Sequence, residues 1–74
     1  MKVKYIGNSF GSAGLTDGKV YECVGIEQGF LRIIDDSEED YLYSPSNPAP
    51  LDDSSPGGYW EIIEDEKGML KKLI

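Results

Sequence analysis

The stretch FLRIIDDSEEDYLYS, residues 30–44, carries five carboxylates in six positions: Asp35, Asp36, Glu38, Glu39 and Asp40. At that density carboxylates could chelate a hard cation or, as a pair, move protons. A calcium loop wants oxygen ligands at alternate positions and a glycine at the sixth. Counted from Asp35 the sixth residue is Asp40, and counted from Asp36 it is Tyr41, so neither frame fits. Acid–base catalysis needs a cleft and one carboxyl held protonated, and a hydrated turn supplies neither. The chain has no histidine and one cysteine. Cys23 lies inside VYECVGIE and reads as a small buried apolar residue, so nucleophilic catalysis lacks a base and zinc lacks ligands. GSAGLTDGK ends in Gly-Lys but lacks the spacing and the following Ser or Thr of a phosphate loop. The expectation is a protein that is not an enzyme, with no catalytic residue, no metal ligand and no cofactor.

The elements that position these residues are short strands. MKVKYIG alternates, with Val3 and Tyr5 on one side and Lys2 and Lys4 on the other, the period of a half-buried strand. NSFGSAGLTDGK is a glycine-rich loop, pinned to the core by Leu15. In VYECVGIE, Tyr21 and Cys23 share one face, and Val20, Glu22, Val24 and Ile26 share the other. Gly25 marks a bulge or bend that swaps them. EQG is a tight turn with Gly29 at a positive-φ position. FLRII and YLY then form a hairpin with the acids at its tip. Within that hairpin the alternation predicts Leu31, Ile33 and Leu42 inward, and Phe30, Arg32, Ile34, Tyr41 and Tyr43 outward.

SPSNPAPLDDSSPGG, residues 44–58, holds all four prolines and reads as a long loop. Its PSNP fits a PxxP pattern, which reads as a stiff connection. YWEIIE resumes the alternation, with Trp60 and Ile62 on one face and Tyr59, Glu61 and Ile63 on the other. DEKG is a turn, and MLKKLI, residues 69–74, is either a helical turn or a sixth, edge strand. Five or six short strands without an intervening helix predict one all-β domain over residues 1–74, a small antiparallel barrel closing on itself.

The net charge of -7 is unevenly placed. Residues 35–66 contain eleven acids and no base. Such a surface repels phosphate backbones, which argues against direct nucleic-acid binding. It would suit a basic partner, or imitation of nucleic-acid charge. A lone cysteine implies no oxidising compartment. The N-terminus lacks the apolar run of a signal peptide and no stretch would span a bilayer. A cytoplasmic monomer with no membrane association is the expectation.

The residues LTDGKVYEC, RIIDDSEEDYLYSP and WEII resemble a group of small, mostly uncharacterised bacterial and phage proteins. Their pattern is LTxGKxYEV, then RIIDDSxEDYLYP, then an aromatic and E-I-hydrophobic-E. The matching positions are Leu15, Thr16, Gly18, Lys19, Tyr21 and Glu22, then Arg32 to Asp36, Asp40 to Tyr43, and Trp60 to Ile63. The resemblance implies an SH3-like β-barrel and carries no activity with it. Cys23 stands where the pattern has valine, and the proline-rich stretch and tail are longer. The ALYDY motif of signalling SH3 domains is absent, so proline-peptide recognition is not implied.

The functional reading is an acidic protein–protein interaction module. Its candidate partner-binding residues are Phe30, Arg32, Tyr41 and Tyr43, with Glu38 and Glu39 on the rim, because tyrosines offer rigid amphipathic contacts. The competing possibility is that the proline loop or the tail covers this face. The alternative function is a phage-type acidic inhibitor, a nucleic-acid-charge mimic acting on a basic host protein.

Overall fold

The computed structural model describes residues 1–74 apart from Ser12, Leu51 and Asp53. Five strands form: β1 (Lys2–Gly7), β2 (Val20–Glu27), β3 (Phe30–Ile34), β4 (Asp40–Tyr43) and β5 (Gly58–Glu64). They make one antiparallel sheet in the order β4-β3-β2-β1-β5. The all-β architecture is therefore as expected, and it is barrel-like. It does not close, because β4 and β5 end the sheet without pairing.

The bend that curls the sheet lies in β2. The start of that strand pairs with β1, Lys2 opposite Glu22 and Lys4 opposite Val20, while the stretch from Glu22 to Glu27 pairs with β3. The register shifts between Cys23 and Gly25, so Val24 is the extra residue of a bulge. A bulge strengthens twist and changes which side chains face inward. Tyr21 and Cys23 are buried before it, and Ile26 packs against the same core after it. Gly25 thus marks the swap its position predicted.

Gln28 and Gly29 both have positive φ, 51° and 82°, joining Glu27 to Phe30. Two positive-φ residues define the turn whose twist suits adjacent antiparallel strands. At the other end of the molecule, Gly7 lies opposite Gly58. A Cβ built on Gly58 would collide with the backbone of Ile6 and Gly7, so the two strands approach there as only glycine allows.

The core gathers Val3 and Tyr5 of β1, Tyr21 and Cys23 of β2, Leu31 and Ile33 of β3, and Trp60 of β5. Phe10 and Leu15 join it from the loop after β1, tied together by a backbone bridge. Trp60 packs edge-on against Tyr5, Tyr21 and Tyr43 at centroid distances of 5.8, 6.3 and 6.2 Å, the arrangement aromatic quadrupoles favour. Its Nε1–H donates to Ser44 O at 3.0 Å, which crosses the gap between the end of β4 and β5.

The tail is not a sixth strand. Leu70–Lys72 form a 3-10 turn, and Asp65 receives the backbone N–H groups of Leu70 and Lys71 at 2.8 and 3.2 Å. Three residues suffice because Leu70, fully buried, anchors them by packing rather than by helix propensity. The proline-rich loop spans 44–57, with Leu51 and Asp53 outside the described residues. Pro48 is buried, and its carbonyl accepts from Gly58 N at 3.2 Å. Among the described residues no helix is long and apolar enough to cross a membrane.

Candidate functional site

Of the five clustered acids, the first two are not hydrated rim groups. Asp35 is only 7% exposed. Its Oδ1 accepts from Ser37 N at 2.9 Å and from the Ser37 hydroxyl, and its Oδ2 accepts from Tyr43 OH at 2.7 Å. An aspartate bonded to a backbone two residues on imitates a turn with its own side chain. Glu38 N donates to Asp35 O at 3.0 Å, and Glu38 takes a φ of 68° to complete the reversal.

Asp36 clips the long loop after β1 onto the hairpin. It accepts from Thr16 Oγ1 at 2.8 Å, Lys19 Nζ at 2.6 Å and Tyr21 OH at 3.0 Å, while its backbone N–H donates to Gly14 O at 3.0 Å. Tyr21 OH in turn accepts from Thr16 N at 2.7 Å. Partial burial pushes the Asp36 carboxyl up, but hydrogen bonds from Lys19, Thr16 and Tyr21 more than offset it, and the pKa falls below the ordinary 3.8. Burial, followed by the hydrogen bond to Asp35, pushes the Tyr43 phenol well above its usual value.

The remaining three acids are exposed. Arg32 bridges two of the strands beside it, its Nε donating to Glu27 and its guanidinium reaching Asp40 at 3.3 Å. Glu39 accepts from Tyr41 OH at 2.9 Å. Glu38 has no side-chain partner among the described residues. No group of three or more potential ligands among the described residues is placed to hold a metal ion, and burial raises the pKa of the Cys23 thiol.

The register of β4 overturns the expected division of faces. Tyr43 lies opposite Leu31, Leu42 opposite Arg32, and Tyr41 opposite Ile33. Residues directly opposite share a face, so Tyr41 and Tyr43 belong to the inward side and Leu42 to the outward side, the reverse of the expectation. A one-residue difference in register exchanges every side chain of a strand. The five-residue tip sets that register, and its geometry depends on Asp35 and Glu38. Phe30, Arg32, Tyr41 and Tyr43 therefore do not form one outward strip.

They nevertheless meet. A groove of about 710 Å³ runs along β4, bordered by all four of them. Because β4 is an edge strand, side chains from both faces reach the groove around its free side. Phe10 and Gly14 of the long loop, Asp40, Leu42 and Ser44, and Asn47, Ala49 and Pro50 of the proline-rich loop complete the lining. The described residues of the proline loop thus contribute part of the groove's wall, and Phe30, Tyr41 and Leu42 remain half-exposed beside it. Phe30 is 45% exposed, Tyr41 50% and Leu42 44%, whereas Tyr43 is half-buried against Trp60. Glu38 and Glu39 lie apart from this groove, around a shallower depression of about 550 Å³ shared with Val24, Ile34, Asp40 and Tyr41. Sequence reasoning missed Phe10, Gly14 and the outward Leu42. An apolar Phe10 within a glycine-rich loop was a signal for the first.

A scan against protein-family models found no match, and neither did searches of curated proteins and of solved structures.

Proposed function

We propose that this domain is a non-catalytic interaction module that binds a protein or peptide along the groove beside β4. The observation that carries the reading is the half-exposure of Phe30, Tyr41 and Leu42 around that groove. A 74-residue domain has little apolar area to spare, and large apolar side chains clustered at a concave surface mark a binding site. The net charge of -7 favours a basic partner over an acidic one. Imitation of nucleic-acid charge receives less support, since Asp35 and Asp36 are tied internally and Asp40 faces Arg32. Too few of the clustered carboxylates stay unpaired to imitate a run of phosphates.

The test is selection from a random peptide library, followed by mapping of the selected peptides on the amide spectrum. The expected result is a set of peptides that shift Phe30, Tyr41 and Leu42, with binding lost at least tenfold in Leu42→Glu and in Phe30→Ser. Selected peptides that map elsewhere, or that bind both variants unchanged, would refute the reading.

A further inference from the structure

The chemistry of the partner can be read from the backbone of β4. Asp35 N–H donates to Glu39 O at 3.2 Å, so Glu39 turns its carbonyl toward the β3 side, while its N–H donates to Ser37 Oγ within the turn. That direction alternates along a strand. Tyr41 and Tyr43 therefore also face β3, while Asp40 and Leu42 turn their N–H and C=O groups away from it. Ser44, next in the alternation, follows suit and points its carbonyl at Trp60 Nε1, 3.0 Å away. The outward groups of Asp40 and Leu42 have no partner among the described residues and border the groove.

We infer that the groove takes its partner by strand addition: an extended, basic segment pairs antiparallel with the free edge of β4. This rests on the interaction reading above and adds its mode and sequence. An unpaired edge is a template for another strand. The segment's residue opposite Leu42 falls on the outward face beside the half-exposed Leu42, which favours an apolar side chain there. Its residue opposite Asp40 falls on the same face, two positions on; Asp40 is already bridged to Arg32 at 3.3 Å, so the exposed Glu38 beside it is the carboxylate that favours a lysine or arginine there. Antiparallel pairing fixes the order from N- to C-terminus as apolar, any, basic. A second copy of this chain would bring together two molecules of net charge -7 each, so charge argues against self-pairing.

The probe is the blocked peptide acetyl-Thr-Val-Thr-Lys-Thr-amide, titrated into the intact protein and followed by amide shifts and hydrogen exchange. Binding is expected to protect the amides of Asp40 and Leu42. N-methylation of its Val or Lys removes a ladder bond and weakens binding about tenfold, whereas N-methylation of the central Thr leaves it within about twofold. The counterpart with Glu for Lys is expected to bind at least tenfold more weakly. If all N-methylated forms bind equally in the groove, strand addition is wrong and the interaction reading stands. If the Glu peptide binds as well as the Lys peptide, the basic partner is wrong. Concentration-dependent shifts of β4 without peptide would assign the edge to a second copy and overturn the inference. If these peptides leave β4 unmoved while library-selected peptides occupy the groove, strand addition falls alone. If neither set binds, the interaction reading falls with it.

Discussion

Asp35 and Asp36 sit beside Glu38 and Glu39 in the sequence and do opposite things. The first pair is pulled inward, each carboxylate accepting at least three hydrogen bonds that hold the hairpin and the long loop in place. The second pair stays exposed, and its charge is directed at solvent. Net charge alone would count them as one acidic patch. The difference lies in what stands opposite: Ser37, Tyr43, Thr16, Lys19 and Tyr21 on one side, and little beyond Tyr41 on the other. An acidic cluster is therefore a mixture of scaffold and surface, and only its second half is free to meet a partner.

The sharpest way to break this comparison is Asp35→Ala. It strands the Tyr43 hydroxyl and frees the Ser37 turn, and should lower stability by about 3 kcal/mol in urea unfolding, the cost of unsatisfied buried polar groups. A loss under about 1 kcal/mol would mean that Asp35 is not structural. Asp36→Ala comes next, at about 2 kcal/mol, since its hydrogen bonds are charge-assisted but nearer solvent. Hydrogen exchange at residues 14–19 should accelerate in that variant, because the clip holding the loop is gone.

The same residue sets an acid limb. The Asp36 carboxyl has a folded pKa below its ordinary 3.8, so its contribution is fully present above that value. It is lost as pH falls through the lowered folded pKa. The fall in stability below about pH 4 should be shallower in Asp36→Asn. At the alkaline end the sign reverses. Tyr43 holds its proton more tightly when folded than the ordinary 10.0, so its contribution is complete below pH 10 and declines as pH rises through its folded pKa. Tyr43→Phe should flatten that decline. Smallest of all, Glu38→Gln and Glu39→Gln should each change stability by no more than about 0.5 kcal/mol, and Glu38→Gln should also weaken the lysine-bearing peptide. A loss above about 1 kcal/mol in either would erase the distinction between the two halves of the cluster.

Much of the fold was legible because alternation survives wherever one face of a strand is buried and the other is wet. Val3 and Tyr5, Leu31 and Ile33, and Trp60 with Ile62 all follow it, and Gly25 announced the place where it changes phase. β4 was misread because a four-residue strand holds too few alternations to fix its own register. The register comes instead from the turn before it, where Asp35 and the left-handed Glu38 decide how many residues the reversal consumes. Closure was misread for a related reason: periodicity says which face is apolar and says nothing about whether the outer strands meet. The tail was ambiguous because its shape comes from Asp65 and the burial of Leu70, long-range contacts that six residues do not advertise. Glu38 and Glu39 lie outside the groove, whereas Phe30, Arg32, Tyr41 and Tyr43 all border it although the faces of β4 were misassigned. At an edge strand both faces border the same concavity, so the error in parity did not move them far.

Trp60 is the chain's one tryptophan, and its indole touches tyrosines from three strands while bonding across the open seam. Its emission therefore works as an internal gauge of that seam. A partner that slots in beside β4 will disturb the Ser44 end of this bond before it disturbs the core. A modest wavelength change with the fold intact should thus distinguish occupancy of the groove from unfolding, with no dye or label attached.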